Sequence, residues 1–510
     1  MMKCENENKL YHNNMNFHEK EKVIDRFLQW TVGETASQIF NSDPEDSYNV
    51  LSSAAQKLHW LSQRLRAACT HLYNAASAAT ASVDDVLFVL FYYRFSFIYS
   101  FSPRKNKSVL IMKTWLRGTI FGLTAFYLFF MHSPFLLDIR VNPYSNPFRN
   151  FTGPLEENNR LGEADRLFHG ILGGPESIVF HEGFLYTSLE DGRIVKIKDE
   201  KITTVARTGT ACAVPYEERK CGRPLGMRKG NDGLLYFCDA YYGIFAMNFT
   251  TGALNNILPS SVHVEGHELK FPDDLDIDNQ GNIYFTDAST KWDLSTIFYL
   301  MFENEAGGRI IRYNIHSGET EVLAKNLNFP NGVQLSEDGK SLLVCEIMNR
   351  RILRLYIKGE KKGKLEVFAD ALPAEPDNIR PSSSGGYWVG FTSARNSTNP
   401  LLPDRFSEYP NLKRFYGRIH TFFFNLLVKL SEFVDNHAFR VFAYKLKRGD
   451  YILSLFPRHG IIIEFDKNGQ ILRSFHSPDG KISDLSEVKE HDGYLYLGSF
   501  VNPYLGRLRL

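Results

Sequence analysis

The sequence predicts an all-β fold, a six-bladed β-propeller, preceded by an N-terminal transmembrane helix and a helical N-terminal extension. Three observations carry that expectation. Six times between Gly174 and Phe500 a short polar turn runs into an apolar stretch: GPESIVF at Gly174, GRPLGMR at Gly222, FPDDLDI at Phe271, FPNGVQL at Phe329, EPDNIRP at Glu375 and SDLSEVK at Ser483. Each is followed, roughly ten residues on, by an alternating strand such as GFLYTS, GLLYFCDA, GNIYFTDA, KSLLVCEI, GGYWVGF or GYLYLGSF. The blocks recur at about 45 to 60 residues, the period of a strand-built repeat array, and four of the six tips carry carboxylate or amide side chains.

The tips come first because geometry brings them together. In a propeller the first strand of every blade lines the central channel, so equivalent positions converge near the axis. Glu176, Asp273, Asn331, Asp377 and Asn378 are therefore expected to face one another. A ring of carboxylate and amide oxygens suits a hard cation, and Ca2+ takes six to eight such ligands at roughly 2.3–2.6 Å. The same Asp and Asn residues can instead close Asx turns ahead of a strand, with Gly and Pro setting φ. Repetition in register favours a shared calcium site.

The stretches GPESIVF, DGRIVKI, CGRPLGMR, FPNGVQL, PDNIRPSSSGGYWVG and EHDGYLYLGSF resemble the strictosidine synthase-like propellers, over about residues 140–510. More remotely the chain is similar to paraoxonases, gluconolactonases and regucalcin. The resemblance implies a catalytic calcium held by Glu176, Asp273, Asn331 and Asp377, with Asn378 beside the last. It implies arylesterase or lactonase chemistry on a small ester or lactone substrate. Asp377 or Asp273 is expected to act as nucleophile or base, because a carboxylate shared with a metal in a narrow channel is already oriented. It also implies that Cys212 and Cys221 pair.

Departures from the family pattern limit the borrowing. Asp273-Asp274 stands where relatives have Asn-Asp, adding a negative charge expected to tighten cation binding. Leu225 falls where paraoxonases carry a histidine, which argues against a His–His proton shuttle. Ser486 falls where true strictosidine synthases carry their catalytic glutamate. Glu487 is one step off, on the opposite strand face, so strictosidine synthase-type condensation is disfavoured. The competing class is a non-catalytic binding propeller in which the calcium is structural.

Length fits one large folded domain plus extras: 510 residues, with a propeller needing over about 300. A net charge of +1 gives no reason to expect nucleic acid. Forty Phe and twenty-five Tyr suit sheet packing.

Ahead of the repeats, Gly118 to Leu137 (GTIFGLTAFYLFFMHSPFLL) contains no charged residue, a length that spans a bilayer as a helix. Arg104, Lys105, Lys107, Lys113 and Arg117 precede it and Asp138 follows. Positive charge stays cytoplasmic, so the expected arrangement is a single-pass type II signal-anchor, with the propeller in the endoplasmic reticulum lumen or at the cell surface. A cleaved secretory signal is the alternative, but it lacks a small-residue cleavage site.

The expected organisation is an extension over 1–111, an anchor over 112–139 and the propeller over 140–510. Translation starting at Met112 would give a conventional short head before the anchor. Within the extension, residues 1–50 are polar, with a short helix over Glu21–Phe40. Leu51–Ala81 has helical apolar spacing, and Val86–Phe101 is an apolar run interrupted by Arg94, read as interfacial or re-entrant.

A lumenal propeller permits disulfides. Cys238 and Cys345 lie inside strands and read as small buried residues, while Cys4 and Cys69 read as free thiols. Asn150-Phe-Thr, Asn248-Phe-Thr and Asn396-Ser-Thr are glycosylation sequons on the lumenal side, whereas Asn106-Lys-Ser falls on the cytoplasmic side. Finally, Asn399–Arg448 widens the spacing between the fifth and sixth blocks. It alternates Phe, Leu and Val at helical spacing with Lys and Arg, predicting a helical insertion that packs on the rim, covers the channel mouth or rests on a bilayer.

Overall fold

Proline has no N–H to give a strand ladder, so inside sheets it belongs at the first residue. Four tip blocks obey that rule in the computed structural model. Pro224, Pro272, Pro330 and Pro376 each open a strand: β2 (Pro224–Lys229), β3 (Pro272–Ile277), β4 (Pro330–Leu335) and β5 (Pro376–Pro381). The corresponding strands of the remaining blocks are β1 (Ile178–His181) and β6 (Glu487–His491). The structure describes residues 107–510, apart from 135, 146, 213–216, 399, 435 and 454–457. The readings made above for residues 1–106 lie outside the described residues.

Each of β1 to β6 is the first member of a four-stranded antiparallel sheet. First strands of successive sheets touch in a closed cycle, β1 to β2 and onward to β6, which returns to β1. Three sheet-six strands come from the C-terminal end of the chain, and the fourth comes from Asp165–Leu167. That early segment pairs with Leu505–Arg509 in the register Asp165↔Arg507 and Leu167↔Leu505. The two ends of the repeat region are thereby zipped into one sheet.

Alternation of side chains along each strand builds the core between neighbouring sheets. In Ser341–Glu346, Leu343 and Cys345 join the cluster shared with the fifth sheet, while Leu342 and Val344 join that shared with the third. Buried clusters fill the spaces between all six neighbouring pairs. Each fully buried aliphatic side chain contributes on the order of 1.5–3 kcal/mol. Cys238 and Cys345 are buried and unpaired, as expected of small strand residues.

The chain divides into two units, Met1–Leu123 and Thr124–Leu510, and helix α1 (Lys107–His132) crosses that division. The transmembrane expectation over Gly118–Leu137 needs correction. The helix ends at His132, and no helix among the described residues is long and apolar enough to cross a membrane. Pro134 stops the helix, Leu136 and Leu137 fall outside it, and Gly118, Thr119, Gly122, Thr124 and His132 dilute its apolar character.

Two insertions rise from the tip end of the sheets. One carries α2 (Ile297–Glu303), after the strand that ends at Asp287, opposite Pro272. The other follows Phe391, opposite Pro376, and contains α3 (Pro410–Glu432) and α4 (His437–Arg448). The helical insertion predicted over Asn399–Arg448 thus has helices where the spacing placed them.

Candidate functional site

The tips are aimed by a repeated irregularity. In β2 to β5 the register slips by one residue just after the proline, between Pro224 and Met227, Pro272 and Leu275, Pro330 and Val333, and Pro376 and Ile379. Such a β-bulge leaves two residues opposite one and re-aims their side chains. The bulged pairs are Leu225-Gly226, Asp273-Asp274, Asn331-Gly332 and Asp377-Asn378. All three predicted ligands from the third to fifth blocks, and Asn378, sit on these bulges. Glycine serves close approach at two of them. A Cβ on Gly226 would lie 2.0 Å from Asp274 Oδ1, and one on Gly332 would lie 2.5 Å from the Asp377 carbonyl oxygen.

Two hydrogen bonds tie the predicted set across the axis. Asn378 Nδ2 donates to Glu176 Oε1 at 2.6 Å, and Asn331 Nδ2 donates to Asp273 Oδ2 at 3.2 Å. The amides therefore turn their oxygens the other way. Glu176 Oε2, Asn331 Oδ1 and Asn378 Oδ1 are buried with no hydrogen-bond partner. Glu176, Asp273, Asn331 and Asn378 are 2%, 4%, 5% and 0% exposed, while Asp377 is partly accessible.

Burial and mutual repulsion dominate the electrostatics. Burial, then the charges of Glu487 and Asp274, pushes Glu176 up to about 8. Burial and the Glu176 charge hold both Asp273 and Asp377 well above the usual carboxylate range. Among the described residues no three His, Cys, Asp or Glu side chains converge tightly enough to grip a metal by themselves. The orphan oxygens are shared between carboxylate and amide instead, a donor set that fits a hard cation and not a soft one.

Below the tips lies a second tier that the sequence reading missed. Arg380 donates to Asp274 at 2.8 and 3.2 Å and also to Glu487, while Arg228 meets Asp274 at 3.3 Å. Val333 N donates to Asp274 Oδ2 at 2.9 Å. Asp274 is thus compensated by two guanidinium groups, whereas Asp273, the carboxylate added where relatives have Asn, meets neither of them. Glu487, read as turned away, accepts from Ser177 Oγ at 2.8 Å within this tier, and Ser486 Oγ donates to the Glu176 carbonyl at 2.9 Å. The available signal was register: Asp274, Asn378 and Glu487 share one block position, and Arg228, Asp276 and Arg380 share another two residues on.

On the opposite side the tips meet an apolar layer. Leu225, Phe271, Phe329, Ala240, Ala288 and Ile347 pack together with Leu294 and Leu300 of the first insertion. Leu225 is 2% exposed here, so the position of the missing histidine is filled by packing. Arg223 is fully buried, donates to the carbonyls of Gly174 and Phe500 at 3.1 and 2.9 Å, and lies over the Phe500 ring.

The other predicted sites are equally concrete. Cys212 and Cys221 form a disulfide with Cα atoms 5.6 Å apart. Asn150 is exposed, whereas Asn248 Oδ1 accepts from Thr250 N and Thr251 N, and Asn396 Oδ1 accepts from Thr398 N and Oγ1.

Repeated four-stranded sheets whose first strands close a cycle, bulged tips and an oxygen-lined centre define an all-β protein of propeller-like class. Profiles described as "Strictosidine synthase" and "Strictosidine synthase-like, N-terminal" match residues 273–360 and 153–197. The chain belongs to the adipocyte plasma membrane-associated protein family. It is 39% identical to the Salmo salar member over 384 residues, covering 74% of this chain and 86% of the relative. The Homo sapiens member is 38% identical over 381 residues, covering 74% and 85%. The Drosophila melanogaster relative named Hemomucin is 30% identical over 405 residues, covering 77% and 69%. Among solved structures, a Xanthomonas campestris protein described as a gluconolactonase is similar at 17% identity and TM-score 0.44, covering 74% of this chain and 98% of that one.

Proposed function

We propose that the six sheets are the blades of one six-bladed propeller, that its axis holds a divalent cation, calcium by the chemistry of its donors, and that the chain hydrolyses small esters or lactones there. The supporting observation is the trio of orphaned buried oxygens on Glu176, Asn331 and Asn378, set among three carboxylates that repel one another. Leaving such atoms unpaired costs about 1–3 kcal/mol each, and a hard cation removes that cost.

When bound, such an ion supplies Lewis-acid polarisation of an ester carbonyl and stabilises a developing oxyanion. Glu176, Asp273, Asn331 and Asn378 are the holding residues. Asp377, the one partly accessible member, is the base or nucleophile, with Asp273 the alternative. The Phe271–Phe329 layer excludes water and favours an apolar acyl or aryl group. The decisive experiment assays purified chain on phenyl acetate and on a lactone, in calcium and after chelation. Calcium-dependent turnover, lost in Asp377→Ala with the fold kept, is the expected result.

A second reading, a structural cation in a non-catalytic binding propeller, is favoured by the burial of four of the five ligands. Under it, chelation lowers the unfolding temperature and no ester or lactone is cleaved.

We further propose that the chain is membrane-associated, as its relatives' names say of them, with the propeller on the lumenal or extracellular side. The Cys212–Cys221 disulfide supports that side, because it needs an oxidising compartment. Protease protection of the propeller in sealed microsomes tests it.

A further inference from the structure

A surface helix in water turns its apolar stripe inward. Helix α3 does the reverse. Its buried positions are Lys413, Gly417, Arg418, His420, Thr421 and Ser431. Most of its inward polar groups are engaged: Arg418 donates to the carbonyls of Phe130, Met131 and Leu137, His420 meets Leu446 O at 3.2 Å, Thr421 donates to Gly417 O, and the Lys413 ammonium lies over the Tyr144 and Phe302 rings. The outward positions are apolar: Phe422, Phe423, Leu426 and Leu430, followed by Phe433 at 87% exposure and, on α4, Phe442 at 55%.

The exposed face continues beyond the insertion. Phe130 packs against Phe422 and Phe423, with ring centroids 5.7 and 6.1 Å apart, and its neighbours Phe126 and Phe129 are 41% and 47% exposed. A monomer in water rarely shows so large a contiguous apolar surface. Charge specifies what covers it. Residues 410–448 hold eight Lys and Arg against two Asp and Glu. Lys413 and Arg418 are buried and Arg448 is paired with Asp450, and the remaining Arg414, Lys429, Arg440, Lys445 and Lys447 give an excess of positive charge matched to anionic headgroups.

We infer that this face docks on a phospholipid bilayer: α3 and α4 lie in the interfacial plane with Phe422, Phe423, Leu430 and Phe433 in the acyl region and the basic side chains among the phosphates. The inference deepens the membrane association proposed above and rests on that part of it alone. Because the insertion leaves its sheet at Phe391, opposite Pro376, the docked face lies at the tip end, where the axial oxygens are.

The test uses the full chain carrying Phe433→Trp, mixed with phosphatidylcholine–phosphatidylserine vesicles whose acyl chains are brominated or not. The emission added by the substitution, with the parent chain's emission subtracted, is expected to fall roughly twofold or more in brominated vesicles and to resist aqueous iodide, as for a side chain seated in the acyl boundary. Leu430→Trp is expected to behave alike. Flotation with the vesicles but quenching by iodide alone overturns the docking face and leaves membrane association standing. Protection from both quenchers together with chemically cross-linked dimers assigns the face to a second copy and also overturns it. Failure to float at all removes both.

Discussion

Arg380 and Asp274, 106 positions apart in sequence, meet through both guanidinium nitrogens and both carboxylate oxygens at 2.8 and 3.2 Å, with side chains 2% and 0% exposed. Arg380 also holds Glu487, so one cation links the third, fifth and sixth sheets. Removing one partner of a buried pair strands the other's charge, which costs about 3–5 kcal/mol. Arg380→Ala is expected to destabilise by that amount in urea unfolding. Arg380→Lys should recover only part, because a point charge cannot serve two carboxylates as a planar fork does. Stability within about 1 kcal/mol of the parent in Arg380→Ala would show that the tier does not hold the sheets together.

The Cys212–Cys221 bond closes a short loop, which constrains the unfolded chain by roughly 2–3 kcal/mol in the entropy account. Cys221 is fully buried beside β2, and Gly209 N donates to its carbonyl at 2.9 Å. Cys212→Ser, or reduction by dithiothreitol, should lower the unfolding midpoint correspondingly. A midpoint indifferent to reductant would mean that the loop is held by packing alone.

Much of this was legible because repetition converts sequence position into space. The proline-led blocks gave the first strands, and alternation in stretches such as GNIYFTDA gave their neighbours. Glu176, Asp273, Asn331, Asp377 and Asn378 were found by being in step. Alternation also misled, since a strict period of two sends Asp274 away from the axis. The bulge after each proline breaks that period, and a one-residue slip is invisible without the partner strand. Arg228 and Arg380 escaped notice for a related reason: an arginine in a strand reads as solvent-facing until a buried carboxylate from a distant block is placed against it. Hydropathy found the helix at Gly118 but not its end at His132, where Pro134 outweighs the apolar residues beyond.

Glycosylation should distinguish the three sequons by geometry. Asn150 is exposed, whereas the side-chain carbonyls of Asn248 and Asn396 each close a local turn. An Asx turn satisfies the amide oxygen and fixes the side chain, so Asn150 is expected to carry the fullest occupancy. Asn150→Gln should produce the largest mobility shift among the single variants, and endoglycosidase should abolish the differences. Full occupancy of Asn248 with Asn150 bare would refute the ranking.

His476 gives the segment before the first sheet its own dependence on pH. The ring bonds to His459 Nε2 through Nδ1 and to Ser474 Oγ through Nε2, both at 2.9 Å, and Phe151 lies edge-on. Around it, Asn158 accepts from His476 N and donates to Ser474 O, Ser474 Oγ donates to Pro154 O, and Glu157 lies 3.9 Å from His459. Burial, then the neighbouring His459, pushes His476 down to about 4, and burial lowers His459 as well. A base whose folded value is depressed favours the native state while it is neutral. Its contribution is therefore whole above about pH 6.5 and is lost as pH falls toward 4, at most roughly 3 kcal/mol over the interval. Stability should decline across that window, and His476→Gln should flatten part of the decline. His420, also pushed down to about 4, leaves a residual slope in the variant. Amide exchange at residues 150–161 should rise before exchange in the sheets does. An unchanged slope in His476→Gln, or exchange that rises everywhere at once, would remove the histidine pair as the clasp of that segment.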